Sequence, residues 1–277
     1  MESKAKGYSP SVWKLRKLLQ IASQVVGSRF TFCTWYHSEP CIDALPHLKL
    51  IVQIDGTFLY GKYRGTLLIA TSQDGDTHVV LFAFAIVEGE NKEAWSWFLS
   101  NIRQHVVQER KNLCLISDRH GGILSAVADE RVQWHPPYAH HIFCIRHLAS
   151  NLNSEHKDPW LKKTLVNMGY ELMPNRVEEM LAELRSHNQR AAEWIADIPK
   201  HQWCRSHDEG GRYDHMTTNL SECINGILKG ARWARVRDKF NPPDGSLHYY
   251  RTVLDSMRQN EIIWRPYAAN EIRNLIP

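Results

Sequence analysis

The chain has 277 residues, of which 43% are hydrophobic and 23% charged, and carries a formal net charge of +4. Those proportions belong to soluble globular protein and exclude a disordered or membrane-spanning class. The longest apolar runs are too short to cross a bilayer, and MESKAKGYSPSVWKL lacks a signal-peptide core, so an intracellular protein that does not engage membranes is expected. The six scattered cysteines then read as free thiols. The modest positive charge permits a polyanionic partner without naming one.

Residues 1–44 are expected to be a helical lead-in. Strands come next: 48–59, 66–74 (TLLIATSQD) and 77–90 (THVVLFAFAIVEGE) are closely spaced apolar runs separated by turn signals, the pattern of a β-meander. The stretch NKEAWSWFLSNIRQHV (91–106) places Trp95, Phe98, Leu99 and Ile102 at helical spacing, with Asn91 as its N-cap. NLCLISDRHGG (112–122) is a short apolar strand ending on Asp118, followed by a small-residue helix from Gly122 to Glu130. AHHIFCIRHLASNL (139–152) passes from strand to helix, and 155–200 is mostly helical. In HMTTNLSECINGILKGAR (215–232), Leu220, Cys223, Ile224, Ile227 and Leu228 mark a helix that begins near Asn219. ProProAspGly at 242–245 reads as a linker to a short C-terminal tail.

Three antiparallel strands followed by helix-linked strands give a mixed five-stranded sheet with flanking helices, the order of a ribonuclease H-like α/β fold. In that order the first strand is central, and right-handed crossovers bring the fourth strand beside it. Asp55, set directly after the apolar run Leu50, Ile51, Val52 and Ile54, and Asp118, at the end of its apolar strand, can then become neighbours. Two carboxylates that close repel one another unless a divalent cation lies between them, which points to Mg²⁺. Each acid also has a plain structural reading. Asp55 can hold a turn, Asp118 can cap the helix after it, and Glu222 can form a capping box with Asn219, since it falls opposite the apolar stripe of its helix.

The blocks DGTFLYGKYRGTLLIATSQDGDTHVVLFAFAIVEGENKEAWSWFL, LCLISDRHGGILSA, HHIFCIRHLASNL and RYDHMTTNLSECINGILKGAR closely resemble, in this order, the transposase domain of plant Mutator-like elements (MULEs). The resemblance covers roughly residues 45–232. It implies a DDE transposase domain over 45–241, with Asp55, Asp118 and Glu222 as the catalytic acids and metal ligands, and a helical insertion at about 155–205 before the last catalytic helix. The implied cofactor is a pair of Mg²⁺ or Mn²⁺ ions, the implied partner DNA, as transposon ends and target, and the implied location the nucleus. A homo-oligomer is compatible with this. Lys62, Arg64, Arg119, Lys229 and Arg232 are candidate phosphate contacts, with Arg235, Arg237, Lys239 and a stacking Trp233 beyond them; a solvated basic helix end is the plain alternative. The family's Cys-x-x-His motif falls on Cys144 and His147. With Cys204 and His207 it offers four zinc-like ligands, but a buried Cys144 and a His147 bonded near the acids are expected instead, and zinc is not. Residues 247–277 resemble a fragment of the plant mobile domain. No Cys-x-Cys…Cys-x-His pattern follows residue 232, which leaves terminal-repeat recognition open. Two functions follow: a DDE nuclease and strand transferase, intact or degraded, or a domesticated transposase that regulates transcription by binding DNA or protein.

Overall fold

The computed structural model describes residues 34–37, 44–59, 65–76, 78–208 and 210–222. Its sheet is built from β1 (Thr34–His37), β2 (Ile51–Leu59), β3 (Gly65–Gln73), β4 (Val79–Val87), β5 (Leu113–Ser117) and β6 (Ala139–Phe143), in the spatial order β1-β4-β3-β2-β5-β6. The five strands expected from the sequence are β2 to β6. The sixth, β1, comes from the segment read as a helical lead-in and pairs antiparallel with the edge of β4. β2, β3 and β4 form the antiparallel meander, while β5 and β6 run parallel to β2. The sheet is therefore mixed, with β2 at the junction of its antiparallel and parallel halves, and the fold is ribonuclease H-like α/β.

The strands read as nearly continuous apolar runs because both sheet faces are covered. All nine residues of β3 are buried, as are all of β4 but its first. On one face, Val52, Ile54, Leu113 and Leu115 pack beneath α1 (Lys92–Ile102) and α2 (Gly121–Val127), with Trp95, Phe98 and Leu99 filling the space between. Asn91 caps α1 as expected, its side chain accepting from the Ala94 N–H at 2.8 Å. The start of α2 lies so close to this cap that a Cβ on Gly122 would stand 2.9 Å from the Asn91 carbonyl carbon, so only glycine fits there.

On the opposite face the alternate residues Ile51, Cys114, Ile116 and Ile142 form their own cluster. A second body follows β6: α3 (Ile145–His156), α4 (Pro159–Tyr170), α5 (Pro174–His187) and α6 (Gln189–Ala196) bury Leu148, Leu165, Leu184 and Ile195 together with Trp203 and Cys204. The chain then returns to the start of α3, where Met216 O accepts from the Ile145 N–H at 2.9 Å. Cys114, Cys144 and Cys204 are buried free thiols. Among the described residues no helix is long and apolar enough to cross a membrane.

Candidate active site

Register places the first two acids. In the parallel pair Gln53 is level with Ile116, so Asp55 and Asp118 each stand two residues beyond the same rung. Adjacent strands lie about 4.8 Å apart, and within β2 the two-residue step puts Asp55 on the face of Ile51 and Gln53, away from α1, while Asp118 directly follows the last residue of β5. Both are half-buried. Asp118 also ends its strand as a local cap: one carboxylate oxygen accepts from the His120 N–H at 3.1 Å, and the His120 ring in turn caps α2 by accepting from Gly122 N at 3.2 Å.

The third acid is held to the same strand by Gln53, a polar residue inside an apolar run. Its Oε1 accepts from the Leu220 N–H at 3.1 Å, and its backbone carbonyl accepts from the Ser221 hydroxyl at 3.1 Å. Ser221 Oγ also lies 2.9 Å from Thr71 Oγ1 on β3. The His215 ring bridges Gln53 Nε2 at 3.3 Å and Gln73 Oε1 at 2.9 Å. The helical turn 219–222 is thereby fastened across β2 and β3 beside Asp55. The capping-box pairing of Asn219 with Glu222 does not form: Asn219 Oδ1 accepts from Arg146 at 2.7 Å, and the turn opens with Glu222 N donating to Thr218 O at 2.9 Å.

Glu222 faces the start of α3. Its carboxylate lies 3.7 Å from His147 Nε2 and 3.9 Å from the Arg146 guanidinium, and it accepts from the Thr218 hydroxyl at 3.3 Å. His147 is pushed up to about 9, foremost by its hydrogen bond to Cys144, against the cost of burial, with the charges of Cys144, Asp55 and Glu222 adding. Burial raises the Cys144 thiol, but His147 and Thr218 outweigh it and bring the thiol below its ordinary value. The negative charges of Asp55 and Glu222 both act on His147. Cys144 and His147 thus stand beside Glu222. Cys204 stands elsewhere, donating to Met168 O at 3.3 Å, and His207 pairs with Ser206 at 2.8 Å.

A fourth acid was not singled out in the sequence. Glu90, at the end of the β4–α1 connection, lies against Gly56, where a Cβ would come within 2.8 Å of its Oε1. Burial foremost, and then the charge of Asp118, raises its pKa, while His120 at 3.9 Å pulls the other way. The glycine directly after Asp55 was the available signal, because it leaves room for a carboxylate. Arg119, a candidate phosphate contact, lies 5.2 Å from the Trp194 ring centre and 5.9 Å from that of Phe143. Lys62, Arg64, Lys229 and Arg232 lie outside the described residues, as do Trp233, Arg235, Arg237, Lys239 and the C-terminal tail.

No curated protein matches the chain. Residues 51–151 match the family model of the MULE transposase domain, a span that runs from the first residue of β2 into α3 and contains Asp55, Asp118, Cys144 and His147 but not Glu222. That likeness supports a transposase-derived role that acts on DNA.

Proposed function

We propose that the chain is a DDE-type DNA nuclease and strand transferase whose acids are Asp55, Asp118 and Glu222. The observation that carries this reading is the pairing of strand register with the Gln53 tether: two acids are level on adjacent parallel strands, and the third is fastened to the same strand two residues away. The donor set fits the implied metal, because carboxylate oxygens suit Mg²⁺ or Mn²⁺. Two such ions would supply an activated water or 3′-hydroxyl and stabilise charge on the leaving oxygen.

The chain's own residues position and balance. Gln53 and Ser221 fix where Glu222 stands. The His147 imidazolium offsets the negative charge of Asp55 and Glu222, which lowers the repulsion that a folded acidic cleft must bear. Arg146, mostly exposed beside Glu222, offers a guanidinium to a phosphodiester. The proposal extends to a nuclear protein whose substrates are transposon ends and target DNA.

The experiment is nicking of supercoiled plasmid by the purified chain. The expected result is nicking that requires Mg²⁺ or Mn²⁺, stops with EDTA and is lost in Asp55→Asn and Asp118→Asn with the fold retained. A folded wild-type chain that binds DNA without cutting it in either metal would overturn the nuclease reading in favour of a DNA-binding regulator.

A further inference from the structure

We propose that Cys144, His147 and Glu222 form a binding site for a single zinc-class ion, and that Glu222 is shared between this site and the Asp55–Asp118 pair. The sharing, though not the site itself, rests on the function proposed above. One ligand atom from each of the three side chains lies within 4.8 Å of the others. Tetrahedral zinc holds N, O and S ligands at separations of roughly 3.3–3.8 Å, so closing this set needs only small side-chain adjustments. The Nε2–carboxylate separation of 3.7 Å is already in that range.

The ligand chemistry selects the ion. A thiolate and an imidazole with one carboxylate suit zinc and its soft relatives and are foreign to Mg²⁺, whose ligands are oxygens. The surroundings support all three ligands through one residue. The Thr218 N–H points to Cys144 Sγ at 3.4 Å, and its hydroxyl lies 3.4 Å from His147 Nδ1 and 3.3 Å from Glu222 Oε1. Such outer partners orient metal ligands. Cys144 is fully buried, whereas His147 and Glu222 are each about one-third exposed, at 36% and 35%, so an ion can enter from the cleft side. Three protein ligands leave one coordination position open. Occupancy would draw Glu222 toward Cys144 and away from the strand acids, making zinc an inhibitor of the magnesium-dependent reaction.

The test is titration of the purified metal-free chain with Co²⁺, followed by displacement with Zn²⁺. The expected result is one Co²⁺ per chain with near-ultraviolet thiolate-to-cobalt absorption, abolished in Cys144→Ser and retained in Cys204→Ser. His147→Gln and Glu222→Gln should each weaken binding roughly tenfold or more, and Thr218→Val by about 10–100-fold. Absence of the thiolate band, or its persistence in Cys144→Ser, overturns the site. Should Cys144→Ser not fold, unchanged Co²⁺ affinity in both His147→Gln and Glu222→Gln overturns it equally. In parallel, stoichiometric Zn²⁺ should suppress Mg²⁺-dependent nicking by the wild type. Nicking without the thiolate band removes the zinc site and leaves the nuclease; the band without nicking keeps the site and removes the nuclease.

Discussion

Replacing Gln53 with leucine isolates the link between the sheet and the third acid. The side chain is fully buried and makes two hydrogen bonds, to Leu220 N at 3.1 Å and with His215 at 3.3 Å. Leucine fills nearly the same volume, so the loss is polar: two hydrogen bonds, at roughly 0.5–1.5 kcal/mol each, predict a stability loss of about 1–3 kcal/mol. Ser221 still reaches the backbone carbonyl of residue 53, so the helical turn stays attached but is less firmly placed. A misplacement of about 1 Å can cost on the order of 10²-fold in rate, so magnesium-dependent nicking should fall by at least tenfold in a variant that remains folded. Urea unfolding measures the first quantity and plasmid nicking the second. A folded Gln53→Leu chain that nicks at the wild-type rate would refute the claim that this tether positions Glu222.

Two further predictions concern titrating groups. Burial holds His141 down to about 4, and since the Ser117 hydroxyl donates to Asp118 O, His141 Nε2 is left as the donor to that hydroxyl at 2.7 Å. A depressed histidine contributes stability that is complete above its unfolded value of about 6.5 and is lost as pH falls toward 4, by at most about 3 kcal/mol and less for the ring edge that stays exposed. Wild type should therefore lose more stability between pH 7 and pH 5 than His141→Asn, and equal losses would contradict the assignment. Glu90 is raised by burial and by Asp118, so its contribution is present below its unfolded value and is lost as pH rises through its folded one. Glu90→Gln should raise the urea midpoint at pH 7 in metal-free buffer and leave it unchanged near pH 4; a lower midpoint at pH 7 would refute the contact.

The strands that carry Asp55 and lead to Asp118 were legible because each holds an apolar run, and right-handed crossovers allow them to become the parallel neighbours that β2 and β5 are. Glu222 was ambiguous for a physical reason: an acid in a first helical turn satisfies a local cap as readily as a distant cleft, and local spacing cannot choose between them. The contacts that hold its helical turn, Gln53 to Leu220 and Arg146 to Asn219, join residues 167 and 73 positions apart. Gln53 itself was a visible anomaly, a polar residue in a buried strand, whose partner no periodicity names. Glu90 precedes a helix cap, where an acid is ordinary; its packing on Gly56 and the charge of Asp118 relate it to the strand acids. The strand Thr34–His37 is too short to leave a periodic pattern and forms by adding to the edge of β4.

Three acids distant in sequence that share a divalent-ion site bind Mn²⁺ together, which electron paramagnetic resonance measures without requiring DNA or turnover. Asp55→Asn, Asp118→Asn and Glu222→Gln should each weaken Mn²⁺ binding by roughly tenfold or more, since each removes a ligand from the same site. Glu222→Gln binding Mn²⁺ as tightly as wild type, while Asp55→Asn does not, would contradict a shared site.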